Sequence, residues 1–580
     1  MKLPPGPAYL CRLAPRVLLS SAIVYLSFRL LIWQYDCIVP TWLIVTLSAL
    51  AKPFHFLATK YFKRIRDARA ARILGAVLPP FVQESPLAII SKIVESTRNG
   101  YPAEVMQRWF EQYGSVARFD VMTYTGVVVN DPDHVKAILA TQFDSFEKGF
   151  TFHQQMDSLL GTGIFNADGG LWKFHRSITR PFFTRERVSD FEIYKRNSDI
   201  SLKAAKGRLN EGYSVDFQDL VSRFTLDSAA EFLFGTTIDS LSAGIPYPPQ
   251  FAQKNSANFY THSSNVFAQA FTEGQILTSL RYSMGSEWPL GPEFWGNAVE
   301  PLRKVMDEFT EPLIADALTK RTAMKQQFLP QQESNLLAHL VNQTQDPMIL
   351  KDELVNLLVA GRDTTMCLLS YALYMLAEHT DMEARLREEI LEKVGATDCP
   401  TYSQMHELKY MRAFINEVLR LYPPVPLNYR TSKEAVVLYS KFGEQPFYIP
   451  ADTTCFYSVM NLHRRTDLWG PDALEFDPDR FLDERHRKYL LSNPYIFCPF
   501  NAGPRICLGQ QFAYHEATFY LVRLLQQFTG FTLDETVNAR PPDAWKDSND
   551  RRAVEKIHPL SHLTMYIKGG LWVKMTELTT

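Results

Sequence analysis

Near the C-terminus, Phe500-Asn-Ala-Gly503-Pro-Arg505-Ile-Cys507-Leu-Gly509 sets one cysteine among glycines and a single arginine. Those residue types suit a thiolate serving as the single axial ligand of a haem iron. Gly503 and Gly509 let the backbone run close under a flat macrocycle and leave amide N–H groups free to point at the sulfur. Such hydrogen bonds tune the thiolate, whose donated electron density favours O–O cleavage on the opposite face. Arg505 stands where a charge-assisted bond to a haem propionate is in reach. The alternative for Cys507 is a buried structural thiol. A zinc site is disfavoured, because no second cysteine or histidine stands at ligand spacing.

A second group of reactive types lies in a long helical pattern from Leu350 to about His379, which holds no proline. Within it, Ala360-Gly361-Arg362-Asp363-Thr364-Thr365 breaks the pattern, since a mid-helix glycine costs about 1 kcal/mol relative to alanine. One reading is that Ala360-Gly361 opens room for oxygen beside a haem. The Thr364 hydroxyl then hydrogen-bonds dioxygen and the water that protonates it, and Asp363 relays protons from solvent. The other reading is a helix kink in which threonine bonds its own backbone. Further on, Asn416-Glu417-Val-Leu-Arg420-Leu-Tyr-Pro-Pro is an amphipathic helix ended by prolines. Glu417 and Arg420, three apart, share a face; on the surface such a pair contributes under about 1 kcal/mol.

The cysteine loop resembles that of the cytochrome P-450 superfamily, and other motifs follow in that family's order. They are Trp172-Lys-Phe-His175-Arg176, Ala360 to Thr365, Glu417 to Arg420, Phe476-Asp-Pro-Asp-Arg480-Phe481 and the segment from Phe500 to Gly509. Asp479 stands where many members carry glutamate. The resemblance implies that Trp172, Arg176 and Arg430 join Arg505 on the haem propionates, with His175 and His463-Arg464 as further candidates. It also implies that Glu417 and Arg420 are buried and joined to Arg480, as structure and not catalysis. Phe224-Thr-Leu-Asp-Ser-Ala-Ala-Glu-Phe-Leu-Phe-Gly235 and the extended cysteine loop to Ala513 look like the fungal alkane- and fatty-acid-hydroxylating members.

The implied fold is mainly α with small β-sheets, and the implied cofactor is heme b on Cys507. The implied reaction inserts one atom of O2 into an apolar small molecule. NADPH supplies the electrons through a separate cytochrome P-450 reductase, with cytochrome b5 as a further donor. Residues 150–165, 251–271, 355–358 and 425–428 would line the substrate pocket. A fatty acid, alkane, terpenoid, steroid or polycyclic aromatic all suit such a lining. The alternative within this resemblance is an O2-independent haem-thiolate isomerase or dehydratase acting on peroxides.

These residues need a body to hold them. The chain has 580 residues, 46% of them hydrophobic, and no Gly-, Ser- or Pro-rich linker divides the body. One large haem domain over 79–580, preceded by a membrane anchor over 1–78, is therefore expected in place of several domains. A formal net charge of -2 gives no global basic field for nucleic acid. Seven cysteines (11, 37, 367, 399, 455, 498 and 507) form no paired framework, which suits a reducing, cytosol-facing body.

In the leader, residues 17–35 and about 38–58 are apolar runs near the roughly 20 residues a bilayer core requires. Lys2, Arg12 and Arg16 precede them, and Lys60, Lys63, Arg64, Arg66, Arg69 and Arg72 follow. Positive flanks stay cytosolic, so a hairpin with both ends in the cytosol is expected, in the endoplasmic reticulum membrane. A single span plus an interfacial segment is the second reading. Gly161-Thr-Gly163 begins like a dinucleotide fingerprint but lacks its third glycine, and is read as a loop over the haem. Residues 563–574, centred on Gly569-Gly570, read as a β-hairpin.

Overall fold

The computed structural model describes residues 3–36, 38–121, 123–183, 191–326, 335–441 and 445–578; Lys2 and Cys37 lie outside them. Two long helices form the leader, α1 (Pro5–Tyr35) and α2 (Thr41–Ile73). Their mean hydropathies reach 1.6 and 1.3, and both are long and apolar enough to cross a membrane. They pack against each other. The far ends of both return to the body. Gly6 at the start of α1 donates to the Phe294 carbonyl at 2.9 Å; in α2, Lys60 just past the middle pairs with Asp120 at 2.7 Å, and Ala71 near the end packs with Tyr448.

The body is mainly helical. The helices that position the site are α3 (Pro86–Arg98), α4 (Gly169–Thr179), α5 (Phe217–Phe234), α6 (Ser263–Leu280), α7 (Val299–Gln326), α8 (Pro347–Glu378), α9 (Lys409–Leu421) and α10 (Gln510–Gln527). The main sheet takes β1 (Val116–Val121), β2 (Tyr124–Val129), β3 (Phe146–Glu147), β4 (Leu427–Ser432) and β5 (Thr454–Ser458) in the order β1-β2-β5-β4-β3. Only the β2–β5 pairing is parallel.

α8 is the axle of the body. Asp346 caps it by accepting from the Met348 N–H at 2.9 Å, and Pro347 opens it with a preset φ. Apolar residues surround it on nearly all sides, the mark of a helix buried in the core. The hydrophobic core divides along its length. Residues 366–376 pack with α9 and α10, while Leu350 to Val359 pack with β1, α5 and α6. Ala360 to Thr365 fall at the division, so the small and polar residues sit where apolar packing changes partners.

The C-terminal hairpin is corrected. Met565–Ile567 pairs with Pro559–Ser561, whereas Trp572–Glu577 pairs with Phe528–Leu533 and Val215–Asp216. Gly569 and Gly570 both take positive φ and send the two runs to different sheets. A Cβ at Gly570 would meet the Asp216 carboxylate at 2.2 Å, and that carboxylate accepts from the Leu571 N–H. The glycines there serve a close crossing and not a two-strand turn.

Candidate haem and oxygen site

The Cys507 loop is held by its own backbone and by one close approach. Cys507 donates its N–H to the Phe500 carbonyl at 3.0 Å, and the Phe500 ring packs on Tyr514 at 5.2 Å. Gly503 has φ +69, and a Cβ there would lie 1.9 Å from the Leu139 carbonyl oxygen. Its glycine is thus demanded by the chain itself, ahead of any macrocycle. Gly509 meets no such obstacle, with Phe183 at 3.6 Å from a built Cβ. Its contribution is its N–H, which bonds the Cys507 sulfur. Cys507 opens onto a cleft of about 710 Å³ shared with Arg176, Arg180 and Phe183. Cys507 stays exposed to that cleft, yet the protein packed around its sulfur pushes its pKa up, against the Gly509 N–H and the Arg176 charge. A thiolate at this position calls for a coordinated cation.

Beside the loop lies a buried cationic cluster. Arg505 bonds the Asp168 carboxylate at 2.6 Å and the Ala167 carbonyl at 3.0 Å, with its guanidinium 4.5 Å over the Trp172 ring. Among the described residues, Arg430 bonds neutral oxygens alone, Asn428 Oδ1 at 3.0 Å and its neighbour's carbonyl at 2.7 Å. Lys148 reaches Asn428 Oδ1 at 3.4 Å and lies over the Phe152 ring. Burial, Arg430 and Arg505 push the Lys148 ammonium pKa well down, with Asp168 pulling against them. Burial and Arg430 push Arg505 down to about 10. Burial works to raise Asp168, but bonds from His153 and from the Lys148 and Gly149 N–H groups hold it well below the carboxylate range. His153 is raised by that same bond.

Three basic groups thus face one carboxylate, and a further anion beside them would restore the Lys148 charge. The two charges left over fit a group bearing two carboxylates beside a cysteine sulfur, which is the chemistry of haem b. Arg176 stands closer to the sulfur and donates to the Ile506 carbonyl at 2.7 Å. Sequence reasoning missed Lys148, which stands in no motif, and it placed Asn428 in the pocket lining without its bonds to Arg430 and Lys148. Asp168 carried a signal, because it precedes Gly169-Gly170 at the start of α4.

On the opposite side, a cavity of about 290 Å³ is walled by Val359, Ala360 and Thr364 of α8. The Thr364 hydroxyl donates to the Ala360 carbonyl at 2.7 Å, leaving its oxygen free to accept. Gly361 is not part of that wall: a Cβ there would come 2.9 Å from Ala229 Cβ, so it admits α5 and not oxygen. Asp363 is also outside the wall, buried between Arg362 Nη1 at 2.9 Å and Gln275 Nε2 at 2.6 Å.

The pocket expectation is partly corrected. Phe152, Met156, Leu160, Phe165 and residues 425–428 line the cavity. Residues 251–271 and 355–358 do not; Phe267 and Phe271 stack in the core, and Val355 and Leu358 are fully buried. Ser279, Tyr282 and Ser283 take the place of the former, and α3, Trp109 and Ser561 to Thr564 complete the wall.

Glu417, Arg420 and Arg480 come together with almost no solvent exposure. Both Glu417 oxygens accept from Arg420 at 2.7 Å, and Oε1 also takes Arg480 at 3.2 Å and the Asp477 N–H at 2.9 Å. Arg420 further donates to the carbonyls of His463, Ala473 and Glu475. His463 bonds the Arg420 carbonyl through Nδ1 and accepts the Cys498 N–H at Nε2, so it ties this knot to the start of the cysteine loop. Arg464 bonds the Leu421 carbonyl and Tyr101. His175 pairs with Glu353 at 3.0 Å, both wholly buried. These three side chains bind protein groups outside the cationic cluster.

The Gly161-Thr-Gly163 loop finds its explanation on α8. A Cβ at Gly161 would strike Asp352, and one at Gly163 would strike Asn356. Asp352 accepts from Thr162, Glu353 from the Ile164 N–H and Asn356 from the Phe165 N–H. The glycines permit this lashing, and the loop binds helix α8 where a dinucleotide fingerprint would bind phosphate.

A family model for cytochrome P450 matches residues 79–548. The chain belongs to that family. It is similar to cytochrome P450 52A5 of Candida maltosa, 33% identical over 90% of this chain and 96% of that protein. Cytochrome P450 52E1 of Candida apicola and cytochrome P450 52-E3 of Starmerella bombicola are each 34% identical, over 81% of this chain and 88% of theirs. The protein is a haem-thiolate monooxygenase.

Proposed function

We propose that this protein hydroxylates a long-chain apolar substrate, a fatty acid or an alkane, while anchored in the endoplasmic reticulum membrane with its body in the cytosol. Cys507, Arg176, Arg430 and Arg505, with Lys148, would hold haem, which would supply the dioxygen activation that puts one oxygen atom into a C–H bond and the other into water. The reading is carried by one observation: an apolar cavity ends at Thr364, whose hydroxyl oxygen is free to accept because its proton is bonded to Ala360. Thr364 orients a water at the cavity floor. Asp363 exchanges protons by releasing its bond to Gln275. Phe119, Phe152 and Met156 exclude bulk water and hold the chain by dispersion contacts. Electrons reach the body from NADPH through a separate reductase. Two apolar helices whose far ends both meet the body, with cations after the second, support a hairpin anchor.

The test uses full-length holoprotein. The reduced, CO-bound spectrum should carry the red-shifted band of thiolate ligation, and Cys507→Ser should lose it. With NADPH, reductase and labelled O2, fatty acids or alkanes should gain one labelled oxygen. Turnover of a peroxide without NADPH, with no label gained by any chain substrate, would overturn the reading.

A further inference from the structure

Where the anchor meets the body, α2 changes from apolar to basic at Lys60. A cavity of about 280 Å³ opens there, between α2 and β1. Leu57, Leu78 and Phe81 form its apolar side; Lys60, Arg64 and Arg118 form its cationic side. Asp120 is the one carboxylate in its lining and is already engaged. It takes Lys60 at 2.7 Å, the Thr125 hydroxyl at 2.9 Å and Arg118 at 3.6 Å. Burial works to raise the Asp120 pKa, but these partners hold it below the usual carboxylate range. Three cations against one carboxylate leave two positive charges at the cavity. Arg118 Nε is also buried there without a hydrogen-bond acceptor among the described residues. An enclosed donor of this kind is costly until an acceptor reaches it.

Depth along the helix says which acceptor arrives. From Thr41 to Ala58, α2 is apolar but for Lys52, His55 and a few hydroxyls, a length of about 27 Å. That nearly matches the hydrocarbon core, so Lys60 and Arg64 come at headgroup level, with Tyr61 as an interfacial aromatic. Lys63, Arg66, Arg69 and Arg72 extend the positive field along the same helix.

We propose that this cavity binds one anionic phospholipid, its phosphodiester and acidic headgroup meeting Arg64 and Arg118 and its acyl chain lying along Leu57 and Phe81. The proposal rests on the hairpin-anchor reading above. β1 carries Arg118 into this site and Phe119 into the substrate cavity, so the two cavities share a strand.

Full-length holoprotein in detergent micelles, with haem loading checked by its CO spectrum, is offered equal phosphatidylserine and phosphatidylcholine. Retained lipid is then counted by native mass spectrometry. At about five-fold for each of two cations, phosphatidylserine should be preferred by about 25-fold. Arg64→Gln should reduce this to about five-fold, and Arg64→Gln with Arg118→Gln to near parity. Equal retention by the wild type, or undiminished preference in the variants, overturns the site. Arg64 lies on an exposed helix face, so Arg64→Gln alone decides if the double variant fails to load haem. Preference erased by millimolar inorganic phosphate at matched ionic strength overturns the lipid in favour of the free anion. Flotation with pure phosphatidylcholine vesicles tests the anchor separately. Failure to float overturns the hairpin, and flotation without phosphatidylserine preference overturns only the site.

Discussion

Replacing Glu417 by glutamine changes one oxygen to an amide nitrogen inside a knot that solvent does not reach. In the wild type, Glu417 is the sole carboxylate on Arg420 among the described residues, and it shares Arg480 with Asp472. Glutamine removes the charge, and its N–H group must face an Arg420 donor that the carboxylate satisfied at 2.7 Å. Arg420 keeps three carbonyl acceptors but has no countercharge. Breaking a buried pair in this way costs about 3–5 kcal/mol, a large share of the roughly 5–15 kcal/mol that holds a domain folded. At about 1 °C per kcal/mol for a chain of this size, the unfolding midpoint should fall by about 3–5 °C. The damage should reach the haem, because Arg420 holds His463, which in turn holds the Cys498 N–H at 2.9 Å. Thermal unfolding of purified holoprotein, followed by far-UV circular dichroism and by the Soret band, measures both effects. A midpoint within about 1 °C of wild type, with full haem loading, would refute the claim that a buried charge knot supports the cysteine loop.

Gly503→Ala should displace the loop from Leu139 and lower haem content, measured by pyridine haemochrome per mole of protein; normal content would show that the backbone tolerates a Cβ there. Lys148→Met removes one of the two surplus charges and should speed haem transfer to a scavenger globin about ten-fold, the equivalent of one charged hydrogen bond of about 1.5 kcal/mol. Thr364→Val keeps shape and loses the hydroxyl, so product per NADPH should fall about ten-fold or more while peroxide release rises. His463 is pushed down to about 3, first by burial and then by Arg420, against an unfolded value near 6.5. Its folded pKa is the lower one, so the unfolded chain binds the extra proton and stability is lost as pH falls below about 6.5. The loss should reach about 2 kcal/mol by pH 5, and urea midpoints for His463→Gln should lack that part of the slope.

The chemistry-bearing residues were legible because their types conflict with their surroundings. Gly361, Asp363 and Thr364 inside an apolar helix, or Glu417 and Arg420 on a helix face ended by prolines, cost stability unless something uses them. What each glycine serves was not legible. Gly361, Gly503 and Gly570 look alike in sequence, yet they admit Ala229, the Leu139 carbonyl and the Asp216 carboxylate, partners distant in the chain. The same holds for Lys148, whose importance comes from Arg430 and Arg505 arriving beside it. Alternation around Gly569-Gly570 suggested a local hairpin, because pattern records which face is apolar and not which strand will be neighbour. The pocket lining was misassigned for a related reason. Phenylalanines at 267 and 271 serve the stack with Phe309, and core demand looks the same as ligand demand in sequence.

The lashing of residues 161–166 to α8 has a mechanical corollary. Asp352, Glu353 and Asn356 grip that loop through its backbone, so one rim of the substrate chamber is riveted to the axle and cannot swing without tearing several bonds at once.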